Sequence, residues 1–336
     1  MANKGLFGNS TRSTKKVPVT DTVNEAGGIA YKTSPEHAIA QLAATGCLNT
    51  TFYASGEDQL KNVIDLANKV SPRYLAQVAI FARERGYMKD MPALLLAILA
   101  KKDQNLLKRV FDRIIDNGKM LRNFVQIVRS GETGQHSLNR ASRRLIGDWL
   151  NSRDDFKLLE ASIGNDPSLA DVIKLAHPKP QNKTREAYYG WMLDREHDAR
   201  KLPTLVKQYE AYKKGESKEV PEIPFQLLTA LDLGKKEWIE IAKGMKWHAT
   251  RMNLNTLKRH GVFDDKAMIR MVADRLSDAE NVRKAKVFPY QLFVAYQNAQ
   301  DVPMEIREAL QDAMEIATAV SYTHLRAHET KANLVC

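Results

Sequence analysis

QHSLNRASRRLIGDWLNSRDDFKLLEASIGNDPSLADVIKLAHPKP, residues 135–180, is the stretch that decides the fold. It opens with an amphipathic helix predicted over 136–151. At about 100° per residue, Leu138, Ala141, Leu145 and Trp149 fall on one side and Arg140, Arg143 and Arg144 on the other. A second amphipathic helix, predicted over 167–177, stops in Leu175-Ala176-His177-Pro178-Lys179-Pro180. Its apolar side is Leu169, Val172, Ile173 and Ala176. One side of each helix can dock on a protein core while the other offers cations to an anion.

The same pattern extends outward in both directions. A short helix is predicted from Pro35 to Ala44, between two β-leaning scraps, Gly28–Lys32 and Asn49–Ala54. Helical periodicity then continues over 58–69, 72–86, 91–102, 104–117, 119–130, 136–151, 154–163, 167–177, 184–197, 201–214, 222–232, 235–243, 250–260, 264–277, 282–298 and 303–319. Pro72, Pro92, Pro167 and Pro303 sit near helix starts, where a missing N–H costs little. Ser71, Asp90 and Asp166 are candidate N-caps. Gly86, Gly118, Gly164, Gly234 and Gly261 stand at or just past helix ends. Many helices with short loops and almost no strand signal describe an all-α fold, an irregular α-solenoid of helical hairpins recurring every ~35–45 residues. A compact helical domain is the competing reading.

Two segments fall outside this pattern. Residues 1–27 read as a flexible basic N-terminal arm, the first twenty being rich in Gly, Asn, Ser, Thr and Lys. Residues 321–336, SYTHLRAHETKANLVC, have neither apolar periodicity nor caps and resemble translated read-through of a sequencing adapter. They read as a non-native tail, which would end the native sequence near Val320. The helical module is then 28–320.

Composition narrows the chemistry. The 336 residues carry a net charge of +11, which favours a polyanionic partner. Eleven Lys/Arg against five Asp/Glu concentrate +6 in residues 101–150. Two cysteines, Cys47 and Cys336, cannot build a disulfide framework or a cysteine-rich zinc site, and fit a reducing cytosol. No secretory signal is visible, and the longest apolar run, Ala93–Ala100, is far short of the ~20 residues that cross a bilayer. No membrane partner is expected.

No Walker loop, GxGxxG, HExxH or GxSxG motif occurs. The histidines, His37, His136, His177, His197, His248 and His260 in the helical body with His324 and His328 in the tail, show no metal-ligand spacing. Arg129 and His136 match an R-x6-H spacing found in some helical ribonucleases, but here a loop, Ser130–Gln135, intervenes where those motifs lie on a helix. The arginine stripe has two readings. A solvated, locally paired surface is one. Against it, Asp148 is the single acidic residue for three arginines, which favours phosphate. His177 reads either as a C-capping histidine or as a nucleic-acid contact continued by Lys174, Lys179, Lys183 and Arg185, in a loop held extended by Pro178 and Pro180. Tyr188, Tyr189 and Trp191 read mostly as core. A third basic window, Lys235–Arg259, has seven Lys/Arg against two Glu and includes Arg251 beside Trp247, His248 and Asn253. Trp238 and Trp247 read as packing residues.

Five segments in order carry a family resemblance: Asp90-Met-Pro-Ala-Leu-Leu-Leu-Ala-Ile-Leu-Ala100, Gly134–Trp149 with its arginines, Leu175–Pro180, Gly244–Gly261 and Lys284-Ala-Lys-Val-Phe-Pro-Tyr290. Together, over about 28–319, they resemble the TROVE module of the Ro autoantigen family, its bacterial branch above all. The resemblance implies HEAT-like helices in a ring or horseshoe, and an RNA-binding protein in place of an enzyme. Family members bind small non-coding Y RNAs on an outer basic surface and single-stranded 3′ ends of misfolded RNA in a central channel. They act in RNA quality control and maturation as ribonucleoproteins, with exoribonucleases as partners of the bacterial members. Carried over residue by residue, the Y RNA surface falls on Arg140, Arg143, Arg144, His177 and Lys179, and next on Lys174. Lys183 and Arg251 join the RNA-binding set from the basic windows. Ro-like proteins continue into a von Willebrand A-like domain whose DxSxS motif holds a divalent cation. This chain has no DxSxS, so no cofactor or metal is expected here, and a cation site would belong to that missing domain. The rival from another class is a helical-repeat protein-interaction scaffold without specific RNA binding. A cytoplasmic location is expected.

Overall fold

The computed structural model describes residues 22–23, 28–30, 33–46, 48 and 55–333, the last fourteen of these as backbone. Two compact units divide the chain, Met1–Pro203 and Thr204–Cys336. Most of the expected N-terminal arm, and the β-leaning Asn49–Ala54, lie outside the described residues. Within residues 1–27, Thr22–Val23 (β1) is not arm: it pairs antiparallel with Ile29–Ala30 (β2), Thr22 opposite Ala30.

The first unit holds α1 (Pro35–Thr45), α2 (Gly56–Lys69), α3 (Pro72–Glu84), α4 (Asp90–Lys102), α5 (Gln104–Ile114), α6 (Gly118–Arg129), α7 (Arg140–Ser152), α8 (Asp155–Ala161), α9 (Leu169–Ala176) and α10 (Lys183–Met192). Local chemistry sets where they begin. Every one except α4 starts behind a Ser, Asp or Asn whose side chain accepts a first-turn N–H. Ser71 caps α3 as expected. Asp90 and Asp166 do not cap: α4 begins on Asp90 itself, and Ser168 caps α9 through a reciprocal box with Asp171.

Packing within this unit follows a simple rule. Odd helices touch odd neighbours (α1 with α3, α3 with α5, α5 with α7, α7 with α9), and even helices touch even ones (α2 with α4, α4 with α6, α6 with α8). Two layers of stacked helices result, which is the arrangement of a helical solenoid. Helix α4 is interior. Met91 to Ala100 are all buried, and it packs on α2, α3, α5 and α6. Such all-round apolarity belongs to a core helix. Where α6 meets α8 the backbones nearly touch: a Cβ on Gly118 would lie 2.4 Å from Ala161 Cβ.

The second unit holds α11 (Thr204–Lys213), α12 (Phe225–Leu228), α13 (Lys235–Gly244), α14 (Trp247–Met252), α15 (Leu254–Arg259), α16 (Lys266–Ser277), α17 (Ala279–Ala285), α18 (Pro289–Asn298) and α19 (Met304–Asn333). Helices α16, α17 and α18 pack on α19. Four expectations change here. The helix predicted over 282–298 is two, broken where Lys286 takes a left-handed φ of 49° and Pro289 starts anew. The helix predicted over 250–260 is divided at Asn253 between the end of α14 and all of α15. The helix predicted over 222–232 shrinks to Phe225–Leu228, behind Pro221 and Pro224. The last helix runs past 319 to Asn333.

Candidate nucleic-acid interface

Helix α7 begins at Arg140, four residues later than its periodicity predicts. The Asn139 side chain accepts from Ser142 N (2.8 Å) and donates to Ala100 O (3.1 Å), so the helix is capped there and pinned to the end of α4. The preceding residues form a loop turned by Gly131 and Gly134, both at positive φ. His136 sits in it, its ring against Gly131.

The buried side of α7 is Ser142, Ile146, Gly147, Trp149 and Leu150. Trp149 lies in this set as expected, and Leu138 is buried just ahead of the helix, while Ala141 and Leu145 are only half-buried. Trp149 Nε1 donates to Ile115 O at 2.6 Å, and the Arg153 guanidinium stacks 4.5 Å over its ring. With that side anchored, Arg140, Arg143 and Arg144 are exposed. Arg144 reaches Asp148 at 4.0 Å, but both are highly exposed, so the pair contributes little. Among the described residues, no carboxylate lies within ion-pair distance of Arg140 or Arg143.

The segment after α9 crosses this helix. His177, its C-cap, adopts φ 49° and ψ 56° and donates its N–H to Ile173 O (2.9 Å). The backbone at His177 is therefore left-handed, not extended. That turn lays Pro178 on Gly147: a Cβ at 147 would sit 3.5 Å from Pro178 Cα. One turn further along α7, Asn151 Nδ2 donates to Lys179 O (2.8 Å) while Gln181 Nε2 donates to Asn151 O (3.1 Å). Tyr189 of α10 donates its hydroxyl to Asn151 Oδ1 (2.9 Å). Helix α7, residues 177–181 and α10 thus form one braced assembly, with Lys174, His177 and Lys179 exposed alongside the α7 arginines. Among the described residues, Lys174 and Lys179 have no carboxylate within ion-pair distance.

Electrostatics separates the remaining cations from this group. Lys183 is exposed at the first turn of α10 but pairs with Glu186 at 3.0 Å. Arg185 is buried: it donates to Arg153 O (2.7 Å) and pairs with Asp155 (3.6 Å), so it is part of the core, not a continuation of the loop cations. Arg251 belongs to the second unit, half-buried, and donates to Gln291 O (3.1 Å) beside the Trp247 ring. Burial pulls its guanidinium below the usual arginine range. Its place is structural, and it leaves the interface. The Asp171 carboxyl is held below the usual range by Ser168 hydrogen bonds and, less strongly, by the charges of Lys174 and Arg129. Tyr188 and Tyr189 are buried; burial pushes Tyr189 up to about 12 and Tyr188 further. Trp238 and Trp247 are buried as well, as expected of packing residues.

Sequence reasoning missed Gly147 and Asn151, which hold the loop, and read Tyr189, buried as expected, only as core. The available signal was the Gly147–Asn151 spacing of four along α7. It also passed over Lys108 and Arg109, exposed on the neighbouring α5. Among the described residues, no group of three His, Cys, Asp or Glu side chains is placed to hold a metal, and no helix is long and apolar enough to cross a membrane.

Residues 235–334 match the TROVE domain family. The RNA-binding protein RO60 of Deinococcus radiodurans is 23% identical over 365 residues, 96% of this chain and 68% of that protein. The crystal structure of the D. radiodurans RO (RSR) protein superposes with a TM-score of 0.58 at 18% identity, covering 84% of this chain and 64% of that one. The chain therefore spans about two thirds of the length of these relatives.

Proposed function

We propose that this chain, a TROVE-domain protein with the helical-repeat fold of the Ro proteins, is the RNA-binding part of a ribonucleoprotein. It holds structured, Y RNA-like non-coding RNA on the cationic face made by Arg140, Arg143 and Arg144 of α7 with Lys174, His177 and Lys179. One observation carries the reading: these cations are exposed, mostly without acidic partners, and the loop that presents His177 and Lys179 is braced onto the helix that presents the three arginines. A surface serving only solubility needs no such bracing. Phosphates are the matching ligand, since the deep, narrow major groove of duplex RNA excludes side chains. Lys183 sits at the edge of this face. The protein positions RNA and does not cut it. Single-stranded or misfolded ends and an exoribonuclease are the further partners this role calls for, in the cytoplasm.

The test is a binding titration with a structured small RNA. Replacing Arg140, Arg143 and Arg144 together with Ala should weaken binding by about tenfold or more. Because all three are exposed, the thermal midpoint should stay close to that of the parent chain. Unchanged affinity in the triple variant would overturn the site.

A further inference from the structure

The second unit carries an exposed aromatic surface that the cationic face of the first does not explain. Helix α18 has the sequence PYQLFVAYQN and no charged residue. It buries Leu292, yet turns Tyr290, Phe293 and Val294 to solvent, and Phe288 just before it is also exposed. Phe288 and Tyr290 are 59% and 64% exposed, with ring centroids 6.0 Å apart and planes within 16° of parallel. Their presentation is fixed. Phe288 donates its N–H to Gln291 Oε1 (3.2 Å), and Pro289 follows at once.

This helix is moored along its length to a basic segment. Arg251 donates to Gln291 O (3.1 Å) and Asn255 Nδ2 donates to Asn298 O (2.8 Å), while His248 Nε2 bonds Ala285 O (3.0 Å) at the end of α17. Residues 246–259, which supply all three side chains, expose Lys246, Lys258 and Arg259 and contain no Asp or Glu. Exposed rings beside an acid-free run of cations are the combination by which proteins hold single-stranded nucleic acid: bases stack on the rings and phosphates follow the cations.

We propose that Phe288 and Tyr290 are a stacking platform for unpaired nucleotides of RNA, with the phosphates drawn along α14 and α15. The inference rests on the RNA-binding reading above but uses different residues in a different unit. It commits to a nucleic-acid occupant because α18 has no carboxylate of its own and α14 and α15, bonded to it through Arg251 and Asn255, expose Lys246, Lys258 and Arg259.

The experiment titrates the full chain with two probes, a short fluorescent oligoadenylate and a blunt-ended hairpin with a tight loop. Phe288→Ala and Tyr290→Ala, made singly and together, should weaken oligoadenylate binding by roughly tenfold per ring and leave the hairpin unaffected. Tyr290→Phe should keep full affinity, because stacking uses the ring face and not the hydroxyl. Oligoadenylate affinity unchanged in the Ala variants overturns the platform. So does equal loss for both probes, or a change in sedimentation with RNA binding intact, which would make the surface a protein contact. Parent chain that binds oligoadenylate but not the hairpin would retain the platform and reject the α7 site. Binding of neither probe rejects both.

Discussion

Asn151 is the residue on which the cationic face depends without carrying charge. Its amide is oriented by the Tyr189 hydroxyl and passes that orientation to the Lys179 carbonyl. Asn151→Ala removes both bonds and loosens residues 177–180 on α7, leaving the Gln181 bond to the 151 carbonyl and the Pro178–Gly147 contact. The expected outcome is a stability loss of about 1–2 kcal/mol, read from a denaturant midpoint, with RNA affinity falling severalfold although no cation is touched. Tyr189→Phe separates the two effects, since it keeps the Lys179 bond but loses the brace. The tyrosine also leaves a signature in alkali. Its phenol ionises near 10 when unfolded and at about 12 in place. A raised folded value means that its contribution is fully present below pH 10 and is lost as the pH climbs through 12. The parent chain should therefore lose stability more steeply over that window than Tyr189→Phe, as measured by chemical denaturation at stepped pH.

Two helical glycines, one against a neighbouring helix and one against a loop, make opposite predictions at the scale of elements. Gly118→Ala would drive a methyl into Ala161 and should cost about 1–3 kcal/mol by overpacking α6 against α8. Gly147→Ala would meet Pro178 only at ordinary contact distance, so the gain in helix propensity should win, stabilising by about 0.5–1 kcal/mol. Differential calorimetry of the two variants checks both signs. The contrast marks what the sequence reveals and what it withholds. Helices α3, α4 and α5 were legible because apolar spacing, Ser71 and the apolar run Ala93–Ala100 are all local signals. The start of α7 was misplaced because Leu138 continues the apolar spacing into a loop, and the Asn139 cap outweighs it. The break between α17 and α18 was missed because the apolar pattern runs across it, whereas a left-handed Lys286 and the Pro289 restart decide the backbone. The arginines of α7 were legible as a face. Their bracing was not, since Asn151 and Tyr189 meet across 38 residues of chain. Arg185 and Arg251 look in sequence like the other cations, and only the folded chain shows them bonded to carbonyls inside it.

Binding by the whole molecule should be dominated by counterion release. The logarithm of affinity should fall linearly with the logarithm of salt, and removing the three α7 arginines should flatten the slope for structured RNA by about 2 to 3. Loss of the rings on α18 should leave that slope unchanged, because stacking releases no counterions. Affinities measured across a salt series for both variants would separate the two contributions. The two-layer order of the first unit has a consequence for how such a chain can change over generations. Because successive helices alternate between layers, whole helices can be gained or lost there only in twos. A single extra helix upstream of α7 would shift it to the opposite layer and aim its arginines the other way. Parity of helix number, more than any individual loop length, is what descent has to preserve on this side of the protein.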